Sequence, residues 1–176
     1  MSRILPIETD RLVLREIDME RDFEAWSRAH ADEQTVRYLG GQVLDPARTW
    51  RYMATVIGHW QVRGYGFFSV ADKASGEWVG HVGPWYPKGW PDREIGWTIA
   101  REHWGKGYAT EAARACLDYV FGTLGWGRVI HVILPENAAS IAVARKIGSG
   151  YLYSQEGLPG VTDATVHIYG QDAPRR

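Results

Sequence analysis

Apolar and polar positions along the chain follow two periods, and the switches between them mark the elements. Residues 9–15 alternate and read as a first strand. Asp18 is placed to cap a helix running to about His30, with Phe23 and Trp26 on one face. Residues 32–39 read as a short second helical piece, stopped by Gly40 and Gly41. Asp45 and Pro46 open a third helix, whose apolar face is Trp50, Met53, Ile57 and Trp60 and which ends near Arg63. Residues 65–71 and 78–85 form a hairpin over the turn 72–76, a loop covers 84–92, and residues 94–99 form the next strand. A helical period then runs from near Gly107 to about Leu124, with Ala109, Ala112, Ala113, Cys116, Val120 and Leu124 on one stripe. Residues 128–134 are β-branched and read as a buried strand. Residues 137–147 form a short helix stopped by Gly148, and 151–154 with 161–169 close the sheet as a hairpin. Strands and helices in this order predict an α/β sheet with helices on both faces, in one domain over residues 1–176.

The junction between residues 94–99 and the long helix carries the first chemistry. Trp104-Gly105-Lys106-Gly107-Tyr108-Ala109-Thr110 holds two glycines and a lysine just ahead of a helix start. Glycine lets the main chain approach a ligand closely. The first helical turn offers free N–H donors and a partial positive charge, which suits a phosphate or pyrophosphate. A nucleoside-triphosphate loop would need four residues between its glycines and a hydroxyl residue after Gly-Lys, where this chain has Gly107. A dinucleotide fingerprint would need a third glycine where Thr110 stands.

The same segment resembles the acyl-CoA loop of the GNAT N-acetyltransferases, Gln/Arg-x-x-Gly-x-Gly/Ala, with Trp104 in the Gln/Arg position and Gly107 and Ala109 in the last positions. The string Trp-Gly-Lys-Gly-Tyr-Ala-Thr-Glu-Ala resembles the branch that contains the ribosomal-protein N-terminal (Rim-type) acetyltransferases, and the likeness runs from about Glu8 to Tyr169. A second motif, Asn137-Ala-Ala-Ser140, supports it. The resemblance implies a mixed sheet of about seven strands in which the strands at Glu94 and Arg128 lie parallel and splay apart, admitting the pantetheine arm of acetyl-CoA. It implies that Asn137 bonds that arm and that Ser140 protonates the leaving thiolate. Tyr151 or Tyr153 are alternative proton donors, since the tyrosine that many members carry seven residues after the Asn is Ala144 here. It also implies that the main-chain N–H groups of Gly96, Trp97, Thr98 and Ile99 polarise the thioester carbonyl. Lys106 would meet the pyrophosphate, and Lys146 or Arg145 the 3′-phosphate. Tyr38, Trp85, Trp90 and the last hairpin would form the acceptor side, although a homodimer contact is an equal role for the two tryptophans.

Amide formation requires a neutral amine. A lysine amine near pKa ~10.4 is neutral in about 0.04% of molecules at pH 7, an α-amine near ~7.8 in roughly 14%. An α-amine can therefore be served by a modest base, and Glu94 is the candidate. Its plain alternative is a surface carboxylate paired with Arg93 or Arg101. Glu111 suits the helix dipole instead. The expected activity is direct acetyl transfer to a primary amine, either a protein N-terminus or a small molecule; a non-catalytic acyl-CoA sensor is the alternative.

Composition narrows the field further. A net charge of −1 speaks against a general nucleic-acid binder. No stretch approaches the roughly 20 apolar residues that span a bilayer. The six histidines show no metal-ligand spacing, and the single Cys116 falls on an apolar stripe. With no leader-like pattern over residues 1–8, a cytoplasmic protein is expected.

Overall fold

The computed structural model describes residues 5–175; residues 1–4, part of the segment read above for a leader, and Arg176 lie outside it. The strands are β1 (Ile7–Glu8), β2 (Leu12–Arg15), β3 (Phe68–Asp72), β4 (Trp78–Trp85), β5 (Glu94–Ile99), β6 (Arg128–Ile133), β7 (Gly150–Leu158) and β8 (Thr162–Asp172). The helices are α1 (Met19–Ala31), α2 (Glu33–Val36), α3 (Pro46–Arg63), α4 (Tyr108–Asp118) and α5 (Ala138–Lys146). One sheet runs in the order β1-β2-β3-β4-β5-β6-β8-β7, and β5 with β6 is its parallel pair.

Eight strands replace the expected seven because residues 9–15 do not run as one strand. Thr9 N–H donates to the Leu12 carbonyl at 2.9 Å, and the Thr9 hydroxyl accepts the Leu12 N–H at 2.9 Å, so the chain folds back and Ile7 pairs with Leu14. The second helix is shorter than expected: Asp32 caps α2 through the Thr35 N–H, and turns follow Val36. The long helix also changes form, closing with a wider turn at Tyr119–Thr123 in which Leu124 N–H reaches the Tyr119 carbonyl.

Two cores flank the sheet. α4 lays Ala112, Ala113 and Cys116, and the wider turn after it Val120, into one core with Ile95 and Ile99 of β5. On the other face Trp26 of α1 and Met53 and Val56 of α3 pack with Phe67 and Trp78. The α3 register differs from the expected one. Thr49, Met53, Val56 and Trp60 point inward at helical spacing, and Trp50 stays 52% exposed. Asp22 ties α1 to the sheet. Burial alone would raise its pKa, but a bidentate Arg15 at 2.8 Å, the Ser69 hydroxyl at 2.6 Å and the Asp18 N–H hold the carboxyl below its ordinary range.

Candidate active site

The parallel pairing of β5 and β6 stops almost as soon as it begins, at Glu94 opposite Ile130. Ile130 donates to the Arg93 carbonyl at 2.9 Å, and the next rung of a regular parallel ladder would join Val132 N–H to the Ile95 carbonyl. That rung is replaced by side chains. Val132 N–H donates to Oε1 of Glu94 at 2.9 Å, and Nδ1 of His131 bonds the Ile95 carbonyl at 2.7 Å. A buried backbone polar group left alone would be costly, so these two side chains hold the fork open. His131 is fixed at its other nitrogen by the Ser149 hydroxyl at 2.9 Å, and burial pulls its pKa down to about 4.

Strand alternation assigns the fork's walls. Ala100 N–H bonds the Val79 carbonyl, so the main chain of Gly96 and Thr98 points at β4 and that of Trp97 and Ile99 points into the gap. The Ile99 carbonyl is taken by Nε1 of Trp104 at 2.7 Å. Side chains alternate across the sheet. Glu94 and Thr98 face α1–α3, whereas Ile95, Trp97 and Ile99 face α4 and α5.

On the α5 side, Asn137 caps the helix by accepting the Ser140 N–H at 3.1 Å, leaving its amide donors free of this bond. Nε1 of Trp97 donates to Oγ of Ser140 at 3.2 Å. Ser140 therefore accepts from Trp97 and keeps its own proton to give. Tyr151 and Tyr153, the alternative donors, are 53% and 45% exposed on the edge strand β7, away from the fork.

At the start of α4, Gly105 and Gly107 have φ of 76° and 80°, values that favour glycine, and an added Cβ at Gly105 would meet nothing within 4 Å. No side chain caps this end, and the N–H groups of Tyr108, Ala109 and Thr110 find no acceptor among the described residues. The loop therefore fits a diphosphate. Sequence reasoning missed the residue that braces it: Arg11 donates to the Lys106 carbonyl at 2.9 Å while bound to the Glu111 carboxylate at 2.6 Å. Glu111 is thus a clamp between β2 and α4. Tyr108 offers the cradle only its main chain, since its buried side chain donates to Asp72 at 2.6 Å. Ile99 likewise packs its side chain into the core. Lys106 lies 3.3 Å from His103, and Lys146 lines a separate concavity of about 650 Å³ with Gly107, Thr110 and Arg114.

On the other face opens a chamber of about 1020 Å³. Tyr38, Trp85, Trp90, Glu94, Thr98 and, through the fork, Trp97, Asn137 and Ser140 all line it. Glu94 is only 7% exposed and pairs with neither Arg93 nor Arg101, which overturns the surface-carboxylate reading. Burial lifts its pKa to about 7, against the pull of the Val132 N–H and of Trp90 Nε1, which donates to Oε2 at 2.5 Å. Trp85 stacks on His59 at 4.3 Å, and the Tyr38 hydroxyl reaches the Glu136 carbonyl at 3.3 Å across the mouth. The chamber also holds residues the sequence reading passed over. Tyr52 keeps its hydroxyl protonated, its pKa pushed up to about 12 by burial and the nearby Glu94. His30 and His81, stacked with Trp26, are held neutral by burial. The signal was available: Arg48, Arg51, Tyr52 and Thr55 recur at i, i+3, i+4 and i+7, one helical face turned to the chamber.

Known proteins resemble this chain in both sequence and fold. Residues 11–149 match the acetyltransferase (GNAT) domain. The chain belongs to the GNAT acetyltransferase family. It is 37% identical over 158 residues to the uncharacterized Bacillus subtilis protein YkkB, covering 86% of this chain and 88% of that one. A crystal structure of an acetyltransferase from Agrobacterium tumefaciens superposes with a TM-score of 0.82 at 29% identity, over 97% of this chain and 96% of the other. A RimL ribosomal-protein α-N-acetyltransferase in complex with coenzyme A shares the fold at 19% identity and a TM-score of 0.77, over 96% and 98% of the two chains. The GNAT fold and the N-acetyltransferase class are thereby shared by this protein; the acceptor is a separate question.

Proposed function

We propose that this GNAT protein transfers an acetyl group directly from acetyl-CoA to a primary amine entering the chamber between α3 and β5. The observation that supports this reading is the fork, with Glu94 on one face of the sheet and Ser140 on the other, positions that suit a proton acceptor and a proton donor. Acetyl-CoA supplies the activated acyl group. The α4 start and the open glycines receive its diphosphate, Asn137 offers amide donors to the pantetheine arm, and Lys146 is within the same region for the outer phosphate.

The chain's own groups then divide the work. Glu94, at a pKa of about 7, is partly ionised at neutral pH and takes a proton from the amine, directly or through a water. The Trp97 and Ile99 N–H groups, pointing into the gap, favour the negative oxygen that develops at the thioester carbonyl. Ser140, its oxygen held by Trp97, gives its proton to the departing thiolate. Tyr52, its pKa pushed up to about 12, adds no anion that would hold the amine as an ammonium. Acceptors in this reading include protein N-termini and small amines. The test is release of free thiol from acetyl-CoA with a panel of amines, together with mass detection of the acetylated product. Cofactor binding without turnover on any amine would leave a sensor instead.

A further inference from the structure

We propose that the acceptor of this reaction carries a carboxylate as well as its amine, the amine directed to Glu94 and the carboxylate to Arg51 and Arg37 at the chamber mouth. The inference deepens the acetyl-transfer reading by naming the acceptor class. Four cations line the chamber, from three separate elements: Arg37 just after α2, Arg48 and Arg51 on α3, and Lys88 in the loop between β4 and β5. The single carboxylate lining it is Glu94, at its buried end.

These cations are not consumed by the protein. Among the described residues none of the four has a carboxylate within 4.0 Å. Arg48 gives one bond to Gln42 at 3.2 Å, and Arg37 lies 5.3 Å from the Tyr38 ring centre. Of the acids near them in sequence, Asp32 is committed to Thr35 and Arg101 and Asp45 to the α3 cap, while Glu33 and Asp92 lie off the chamber lining. Nor do these cations serve the diphosphate, since none of residues 101–110 lines the chamber. Arginine matches a carboxylate with two parallel N–H donors, and a site of one buried acid and four cations disfavours a polycation. Two sources share the chemistry: a free amino acid, and a peptide N-terminus followed at once by an acidic residue. The chamber volume of about 1020 Å³ accepts either.

The experiment compares kcat/KM on the purified full chain for matched acceptors: L-phenylalanine against its amide, the peptide Ser-Asp-Ala against Ser-Lys-Ala, and spermidine. Each carboxylate acceptor should exceed its control at least tenfold, although an amide lowers its neighbour's proton affinity and so helps the control. The pair showing the larger ratio identifies the source. Arg51→Gln, at an exposed position, should cut the carboxylate-to-control ratio about tenfold, and Arg51→Glu should move the preference toward spermidine. Equal or better turnover of the controls, or ratios indifferent to Arg51, overturns the proposal. If no acceptor releases thiol, calorimetry of the same ligands on the CoA-saturated protein decides. Carboxylate-selective binding that Arg51→Gln abolishes keeps the anion site and removes only the acetyl-transfer reading; unselective or undetectable binding overturns the anion site.

Discussion

On the α4–α5 side of β5, the groups proposed to meet acetyl-CoA are mostly main chain: the first N–H groups of α4, two glycines with positive φ, and the N–H groups of Trp97 and Ile99 that point into the gap. On the α1–α3 face the groups are side chains drawn from three helices, several strands and the loops between them. A site made of backbone depends on chain path and tolerates many side chains. A site made of side chains depends on the identity of each one and can change acceptor without changing fold. The fixed half therefore suits a reactant common to a family, and the variable half suits the partner that distinguishes its members.

Substitutions on each face should separate cleanly. The largest effect belongs to Glu94→Gln, which keeps an acceptor for Val132 N–H but cannot take a proton. Turnover should fall on the order of a thousandfold with acetyl-CoA affinity unchanged. With an α-amine acceptor of pKa ~7.8, log kcat/KM of the parent should fall with slope 2 below about pH 7, and that of the variant with slope 1. A variant that retains slope 2 would remove Glu94 from the base role. The same shift has a stability signature. Because folding raises the proton affinity of Glu94, it favours the fold below about 4.5 and this contribution is lost as pH climbs through about 7. Denaturant midpoints should therefore show the parent losing ground to Glu94→Gln as pH climbs from about 4.5 to about 7, with the difference constant above that.

Gly107→Asp tests the other face. It puts a β-carbon at a φ of 80° and a negative charge in the cradle, so CoA affinity should drop about a hundredfold, some 2.7 kcal/mol. Acceptor KM at saturating acetyl-CoA should change little, and calorimetric CoA binding equal to the parent would break the division of labour. Ser140→Ala should lower turnover roughly tenfold, about 1.4 kcal/mol, with a smaller change in CoA affinity. An unaltered rate would mean that another group protonates the thiolate. The smallest effect is Trp90→Phe. Losing its N–H from Oε2 raises the Glu94 pKa further, so the acid limb of the rate profile should move to higher pH by less than about one unit. A limb that stays put or moves down would contradict that bond.

The difference between the faces also explains what was legible in the sequence. Residues 104–110 are contiguous, and their glycines and helix start advertise the cradle, as Asn137 and Ser140 advertise the α5 cap. β4, β5 and α3 appear with the expected bounds because hydrophobic period and the Asp45–Pro46 signal are local. Glu94 was legible as a candidate but not its burial. Arg93 and Arg101 offered plausible partners, and only the early end of the β5–β6 pairing draws the carboxylate inward. Tyr52, His30 and His81 were passed over, because the wall they share exists only once α1, α3 and β4 meet. Trp50 was misplaced for a related reason. A bulky residue one position from the true inward face satisfies a hydrophobic pattern nearly as well, and packing against β4 decides between them.

The side-chain replacements at Val132 and Ile95 mean that the two central strands never compete to zip together. Whatever free energy parting them requires has been spent by the time the chain is native, so the aperture is part of the fold itself. An incoming thioester need not pry strands apart, and its binding energy goes undiminished into alignment of the reacting atoms.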